Sequence, residues 1–441
     1  MSALAEIMLE LGHRVQGSDR EASAVTAYLQ KQGGKVIIGH NAANVNGADV
    51  LIYSSAVKPS NPERAEAQKR GIAQMRRAEL LGLLMQKKRG IAVAGTHGKT
   101  TTTAMIARLL LEAGLDPTVL VGGTMRDLGS NAHLGKGEFL VAEADEYDRS
   151  FLTLFPEITV ITSLEADHLD IYRDMDDLRE TYGKFAAQTA FDGLIIRCAD
   201  DQEVKKMQID SPAQSVFYAI DDEARIEARN AFFEGAACGY DLFLDGDKVT
   251  AVKLQVPGKH NILNSLAAAA VGLQLDLDGA TIARGLQSFA GVQRRFEIKG
   301  KLGTAVLADD YAHHPTEVWR TLEAARLAGY KKVGVAFQPH LFSRTRDFYK
   351  EFASALSLAD AVVLAPIYPA REEPIAGVTS ALIADELKRA KSAARVVLVE
   401  QNAAIAAEIK ELGRDMELVL TMGAGDIWRY GESALETIAE K

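Results

Sequence analysis

The sequence predicts an α/β protein of three domains, and three observations carry that expectation. Short β-branched runs alternate with helical patterns along most of the chain, as parallel α/β domains do. The 441 residues divide into roughly three domains at about 150 residues each. Local punctuation separates three blocks: 1–86, 87–290 and 291–441. With 47% apolar and 25% charged residues, an ordinary globular chain with ample core is expected. The 50 basic and 60 acidic residues leave a net charge of −10, which argues against a nucleic-acid binder or a polybasic membrane-surface protein. No run approaches the roughly 18 apolar residues that span a bilayer. The opening MSALAEIMLELGHR has no basic leader or cleavage site, so a cytoplasmic location is expected and no membrane insertion. Cys198 and Cys238 are the only cysteines and lie far apart, which excludes a disulfide scaffold or a cysteine-rich zinc site.

In the first block, strand-like pieces are expected at 13–16, 35–38, 50–53 and 72–75. The step KKRG at 87–90 leads into a strand at 91–94 that opens the second block. That strand runs into Gly95-Thr96-His97-Gly98-Lys99-Thr100-Thr101, followed by an amphipathic helix through Leu111. A strand, a glycine loop with lysine, and a hydroxyl residue opening a helix form a cradle for a nucleotide triphosphate. Backbone amides and the helix N-terminus receive the phosphates, Lys99 neutralises them, and the Thr100 hydroxyl can ligate magnesium. The loop departs from the strict phosphate-loop pattern, because Val93 sits where the first glycine belongs. A buried-strand run at 139–142 ends in Glu143-Ala144-Asp145-Glu146-Tyr147-Asp148. Magnesium-dependent phosphoryl chemistry needs an acid on the strand beside the loop, and Glu143 is first after the apolar run. The strand at 159–162 ends in SLEADH, which puts His168 on the same sheet edge for metal or phosphate contact. In Gly258-Lys259-His260-Asn261-Ile262-Leu263-Asn264, Asn261 and Asn264 are three apart at a helix start. They can face one ligand such as an adenine edge, or simply cap the helix.

A helix at 281–289 closes the second block, and Arg294-Arg295 follow where a domain-supplied arginine can reach a bound triphosphate. In the third block, strands are expected at 304–308, 332–337, 361–365, 395–399 and 417–421. Four of them run into polar clusters, DDYAHHP, QPHLFSRT, PIYPAREEP and MGAGD. Ligands of open parallel sheets bind outside the carboxyl ends of the strands, so the clusters predict one binding face.

Eight motifs, GTHGKTTT, EADEYD, EADHLD, GKHNILN, GVQRRFE, DDYAHHP, FQPHLFSRT and TMGAGDIW, stand in this chain in the order and spacing of the Mur ligases. The chain resembles that family over essentially its whole length, and DDYAHHPTE and FQPHLFSRT resemble its alanine-adding branch. The resemblance implies a Rossmann-like UDP-sugar-binding domain, a central phosphate-loop ATPase domain and a Rossmann-like C-terminal domain for amino acid and nucleotide. It implies UDP-N-acetylmuramate, L-alanine and ATP as substrates, two Mg2+ ions as cofactor, no nucleic acid, and a monomer or homodimer. The lactyl carboxylate takes the γ-phosphate of ATP, and the alanine amine then displaces phosphate from the acyl phosphate. Lys99, the magnesium ions and Arg294 or Arg295 offset the repulsion between anions. By position, Thr100 and Glu143 hold one magnesium and His168 serves the second. His260, Asn261 and Asn264 match the adenine-facing segment. Asp310, Tyr311, His313, His340, Arg344 and Arg346 match segments that close on nucleotide, muramate and alanine, with Arg344 forking onto the alanine carboxylate. Gly17-Ser18-Asp19, His40 and Ser54-Ser55-Ala56 match segments that receive the UDP-sugar, and Asn131 approaches it from the central domain. Some related ligases hold the second magnesium with a carbamylated lysine. None is expected here, where Lys184 is the nearest candidate.

Family members begin with a strand and a glycine-rich turn. Here Met1-Ser2 align with the helix that follows, whose Leu4, Ile7, Met8 and Leu11 recur at helical spacing. The resemblance thus implies a first sheet short of one strand, an exposed edge, a truncated or misassigned start, and weak UDP-N-acetylmuramate binding beside intact ATP binding. Three other functions compete. A muropeptide-recycling ligase would attach a tripeptide, and a kinase or GTPase switch would hydrolyse nucleotide without an amine acceptor. A non-catalytic UDP-sugar binder would not need Lys99, Thr100, Glu143 and His168 intact, and no guanine-reading N-K-x-D is present.

Overall fold

The computed structural model describes residues 1–441 except 168–170, 371, 391 and 440–441. The chain forms two compact units, one of Met1–Arg229, Asp241–Val252 and Leu263–Phe289, the other of Asn230–Tyr240, Lys253–Ile262 and Ala290–Lys441.

The first unit opens with the helix Ser2–Glu10, which buries Leu4 and Ile7. Four short strands follow: β1 (Gln16–Asp19), β2 (Lys35–Ile38), β3 (Val50–Tyr53) and β4 (Ala73–Arg76). Among the described residues they make two separate two-stranded parallel sheets, β1 with β2 and β3 with β4. The strand expected at 13–16 lies three residues later. The His13 amide still bonds back to Met8 of the preceding helix at 3.0 Å, so extended pairing begins only at Gln16 against Lys35.

The large sheet contains β5 (Arg89–Ala94), β6 (Thr118–Leu120), β7 (Ala132–His133), β8 (Phe139–Glu143), β9 (Ile158–Ile161), β10 (Leu194–Cys198), β11 (Gln214–Ala219), β12 (Ile226–Glu234), β13 (Ala237–Leu244) and β14 (Asp247–Leu254). Its order is β14-β13-β12-β11-β10-β9-β5-β8-β6-β7. β5 lies between β9 and β8, parallel to both, and from Gly90 to Ala94 it is wholly buried. This is why its sequence reads as a continuous small-apolar run rather than an alternation. The helix Lys99–Glu112 returns over the sheet and packs on the helix Gly279–Gln287. The approach is close: a Cβ at Gly285 would lie 2.7 Å from Leu109 Cδ1.

The second unit holds β15 (Glu297–Leu302), β16 (Ala305–Asp310), β17 (Val333–Phe337), β18 (Ala361–Leu364), β19 (Arg395–Leu398) and β20 (Leu418–Met422) in the order β15-β16-β20-β17-β18-β19. All neighbours are parallel except β15 and β16, an antiparallel pair. The five parallel strands lie within two residues of their expected limits. The edge strand β15 had no expectation, because its alternation of charged and apolar residues, EIKGKL, resembles a polar linker. The helices Pro315–Leu327, Phe342–Leu356, Ala381–Arg389 and Ile405–Asp415 cover the sheet, so the four polar clusters emerge together at the carboxyl ends of β16, β17, β18 and β20.

Candidate active site

The loop after β5 adopts its shape through two glycines. Gly95 is at φ +141°, and a Cβ there would meet Thr162 Oγ1 at 2.0 Å. Gly98 is at φ +84°, where a Cβ would meet Asn264 Oδ1 at 2.5 Å. β9 and the residues after it brace the loop. Thr162 donates to the His97 carbonyl at 2.6 Å, the His97 amide donates to Ser163 Oγ at 3.0 Å, and His97 Nε2 lies 2.8 Å from Glu165. Thr96 Oγ1 accepts from the Glu165 amide at 2.9 Å. Thr101 is half-buried in the first turn of the helix, whose N-terminus has no side-chain cap. Such an end is a ready anion site.

Lys99 Nζ donates to Gly95 O at 2.5 Å and to Glu146 Oε1 at 2.9 Å. Burial opposes its charge, but the carboxylates of Glu146, Asp145 and Glu143 outweigh that and hold the ammonium above its usual pKa. Thr100 Oγ1 is 3.2 Å from Glu143 Oε2, and the Gly122 amide donates to the same carboxylate. A hydroxyl and a carboxylate side by side are the hard oxygen donors that magnesium prefers. His168 lies outside the described residues. Lys184 is exposed and paired with Glu180 at 2.6 Å.

Asn264 accepts from Thr102 at 3.2 Å, so it faces the phosphate-loop helix, whereas Asn261 Nδ2 donates to Pro257 O at 2.7 Å. Burial, then Arg320 and Arg295, push His260 down to about 3. It is a neutral ring whose Nδ1 has no hydrogen-bond partner among the described residues.

On the six-stranded sheet, Asp310 accepts from the amides of Phe296 and Ala312, both at 2.8 Å. Burial raises it to about 6 despite Arg295 and these two donors. His313 Nδ1 lies 3.0 Å from the Tyr311 carbonyl and 3.2 Å from Glu317, and its ring meets Tyr311 and His340 edge-on. Arg344 is buried in the first turn of Phe342–Leu356, whereas Arg346 is exposed and paired with Asp347 at 2.7 Å. The two expected arginines at the start of this block differ. Arg294 is used internally, 2.8 Å from Asp309 and donating to Gly423 O at 2.6 Å. Arg295 lies over Tyr311 at 5.4 Å and only 3.9 Å from Glu317.

In residues 1–86, Ser18 lies 3.0 Å from His40 and donates to Glu63 at 2.8 Å. Glu63 also accepts from Asn44 at 2.8 Å. Asp19 is exposed at the end of β1, and Ser54 and Ser55 follow β3. Asn131 contacts Ser2 at 3.4 Å, beside Ser130, which donates to Glu6 at 3.1 Å. Sequence reasoning missed Glu63, Glu146 and Glu165. Each is an acid among other acids, and its partner lies 45, 47 or 68 residues away in the chain, at a distance no periodicity bridges.

Comparison with known proteins identifies three matches to family models. They are the Mur ligase family catalytic domain over residues 1–89, the Mur ligase middle domain over 93–272, and the Mur ligase glutamate ligase domain over 294–425. The chain is 44% identical to UDP-N-acetylmuramate–L-alanine ligase of Salinibacter ruber, covering 99% of this chain and 92% of that one. It is 45% identical to the ligase of the same description in Stenotrophomonas maltophilia, covering 97% and 91%. Among solved structures, UDP-N-acetylmuramate–alanine ligase of Thermotoga maritima superposes with a TM-score of 0.84 at 31% identity, covering 100% and 96%. A murein peptide ligase of Psychrobacter arcticus shares the fold, at a TM-score of 0.73 and 24% identity over 99% and 96%.

Proposed function

The chain belongs to the Mur ligase family, and from that premise we propose that it joins L-alanine to UDP-N-acetylmuramate at the expense of ATP, in peptidoglycan precursor synthesis. The observation that carries the chemistry is the loop in which Lys99, Thr100 and Glu143 converge beside an uncapped helix N-terminus. A lactyl carboxylate oxygen attacks the γ-phosphorus of ATP and ADP leaves. The amine nitrogen of L-alanine then attacks the acyl-phosphate carbonyl, inorganic phosphate leaves, and the nitrogen gives up a proton.

The helix amides and Lys99 bind and orient the phosphates, and their fixed positive charge stabilises the charge that spreads during transfer. Thr100 and Glu143 would hold Mg2+, with His168 serving a second ion, and the metal would supply charge neutralisation at the phosphoryl oxygens. Arg344 receives the alanine carboxylate, with Tyr311, His313 and His340 beside it, and Arg295 supports the phosphoryl charge better than Arg294, whose guanidinium is already engaged. His260 offers a neutral nitrogen to the nucleotide base. Ser18, His40, Ser54, Ser55 and Asn131 take the UDP-sugar. No helix among the described residues is long and apolar enough to cross a membrane, which suits work on nucleotide substrates in the cytoplasm.

ADP release measured with UDP-N-acetylmuramate and L-alanine, glycine, L-serine or a muropeptide-type tripeptide tests the reading. L-Alanine should give the highest kcat/KM, and a tripeptide preferred over alanine would replace the assignment by the recycling reaction. Lys99→Ala should lower turnover roughly 100-fold or more while the protein stays folded. Near-normal ADP release from that variant would remove the loop from the mechanism.

A further inference from the structure

The run PIYPAREEP at 366–374, described except for Arg371, is one of the polar clusters at this sheet edge to which the proposed reaction gives no task. Their backbone is laced to the loop that leaves β17. The Tyr368 amide donates to Pro339 O at 2.8 Å, the Leu341 amide donates to Tyr368 O at 3.0 Å, and His340 and Tyr368 form a parallel bridge. Side chains repeat the link on either side of Leu341. The Tyr368 ring stacks on His340 with centroids 5.9 Å apart and 12° between planes. The Glu372 carboxylate accepts from the Ser343 amide at 2.9 Å and from the Ser343 hydroxyl. It thereby occupies the N-terminus of the helix Phe342–Leu356, in whose first turn Arg344 lies. Between the two anchors Leu341 is held at φ +71°, ψ 137°. A side-chain-bearing residue stays in such a conformation only where its surroundings over-determine it, and such strain gathers at ligand clamps.

We propose that Tyr368 and Glu372 are positioning residues for the amino-acid substrate. Tyr368 fixes the plane of the His340 ring, and Glu372 fixes the helical turn that aims Arg344. Glu372 also places its own carboxylate on the helix N-terminus and so fills the anion site there. Tyr368 and Glu372 therefore set the apparent affinity for the amino acid without touching it. The inference rests on the reading that Arg344 binds the alanine carboxylate.

The test is steady-state kinetics with each of the three substrates varied in turn, on Glu372→Ala, Tyr368→Leu, Tyr368→Phe and Arg344→Ala. Displacing a binding group by about an ångström costs up to roughly 100-fold, so Glu372→Ala and Tyr368→Leu should raise KM for L-alanine about tenfold or more. Their KM values for ATP and UDP-N-acetylmuramate should stay within about twofold of normal, because the displacement is confined to one turn. Tyr368→Phe keeps the stacked ring and should behave as the native protein. An unchanged alanine KM in both variants, with a raised one in Arg344→Ala, would overturn the positioning role. An unchanged alanine KM in Arg344→Ala would instead overturn the pocket reading beneath it. Equal rises for all three substrates would mark a folding defect and also overturn the proposal. Should Glu372→Ala fail to fold, Glu372→Gln keeps an acceptor for Ser343 and carries the same expectation at smaller size.

Discussion

The strands of residues 1–86 and those of residues 291–441 begin as similar sequence and end in different surroundings. β2 reads KVII and β3 reads VLIY, while β17 reads VGVAF and β20 reads LVLTM. Every residue of β17, β18 and β20 is buried, and none of β1–β4 is. Each of the first four strands has a neighbour on one side only among the described residues, whereas β17, β18 and β20 each have two. Apolar content alone therefore does not make a core; a strand needs partners on both edges and helices on both faces. The side chains proposed to bind substrate follow suit. In the C-terminal sheet they are aimed by packed rings and buried carboxylates, and in the first region by hydrogen bonds among Ser18, His40, Asn44 and Glu63.

The contrast breaks most visibly at Phe337. Its ring is 0% exposed and lies 5.2 Å from Phe352, so Phe337→Ala should cost about 3–5 kcal/mol in urea unfolding. A loss below about 1 kcal/mol would mean that the C-terminal core is no tighter than the first region.

Asp310 sharpens the contrast through pH. Its native pKa is raised from the usual 3.8 to about 6 by burial, so the native state holds the proton more tightly than the unfolded chain does. The stability from that proton is complete below about pH 4 and is lost as pH rises through about 6. A difference of about 2 units corresponds to roughly 3 kcal/mol. Asp310→Asn carries no such proton. Measured against the native protein, its relative stability should improve by about that amount between about pH 4 and pH 8. A pH-independent difference would show that the carboxyl is not desolvated.

In the first region the effects should be smaller. Glu63→Ala leaves the Ser18 and Asn44 donors without their acceptor, at a cost of about 1–2 kcal/mol. Ile38→Ala removes a side chain that is 51% exposed and should stay within about 0.5 kcal/mol. Thermal melts of the pair check both, and a reversed order would place apolar packing, rather than the hydrogen-bonded cluster, at the centre of this region.

What the sequence made legible follows the same division. The parallel strands of the C-terminal sheet and β5, β8 and β9 stood out because buried parallel strands are continuous apolar runs. β10–β14 passed unmarked: the long strands β12–β14 mix exposed polar and buried positions without a clean period, for example IEARNAFFE in β12. Thr100 and Glu143 could be paired in advance because adjacent parallel strands bring their ends to one edge, and the register sets Val93 opposite Glu143. Glu146 could not be paired with Lys99 in the same way, since two residues of irregular backbone, Ala144 and Asp145, separate it from the strand. Tyr368 and Glu372 were visible as members of a polar cluster, but the backbone lacing that turns them toward His340 and Ser343 is a property of two loops together.

The two parallel pairs at the start of the chain also have a colloidal consequence. A strand with one neighbour presents a row of amide and carbonyl groups on its other edge, and such a row is a template for another chain. Exposed Ile38 and Val50 lie on β2 and β3 themselves, and no lysine interrupts β3. Crowded solutions of this protein should therefore reach their solubility limit through edge-to-edge association of residues 1–86, well before the phosphate loop or the C-terminal sheet loses its form. A charged residue placed on β3 would raise that limit without entering any of the chemistry.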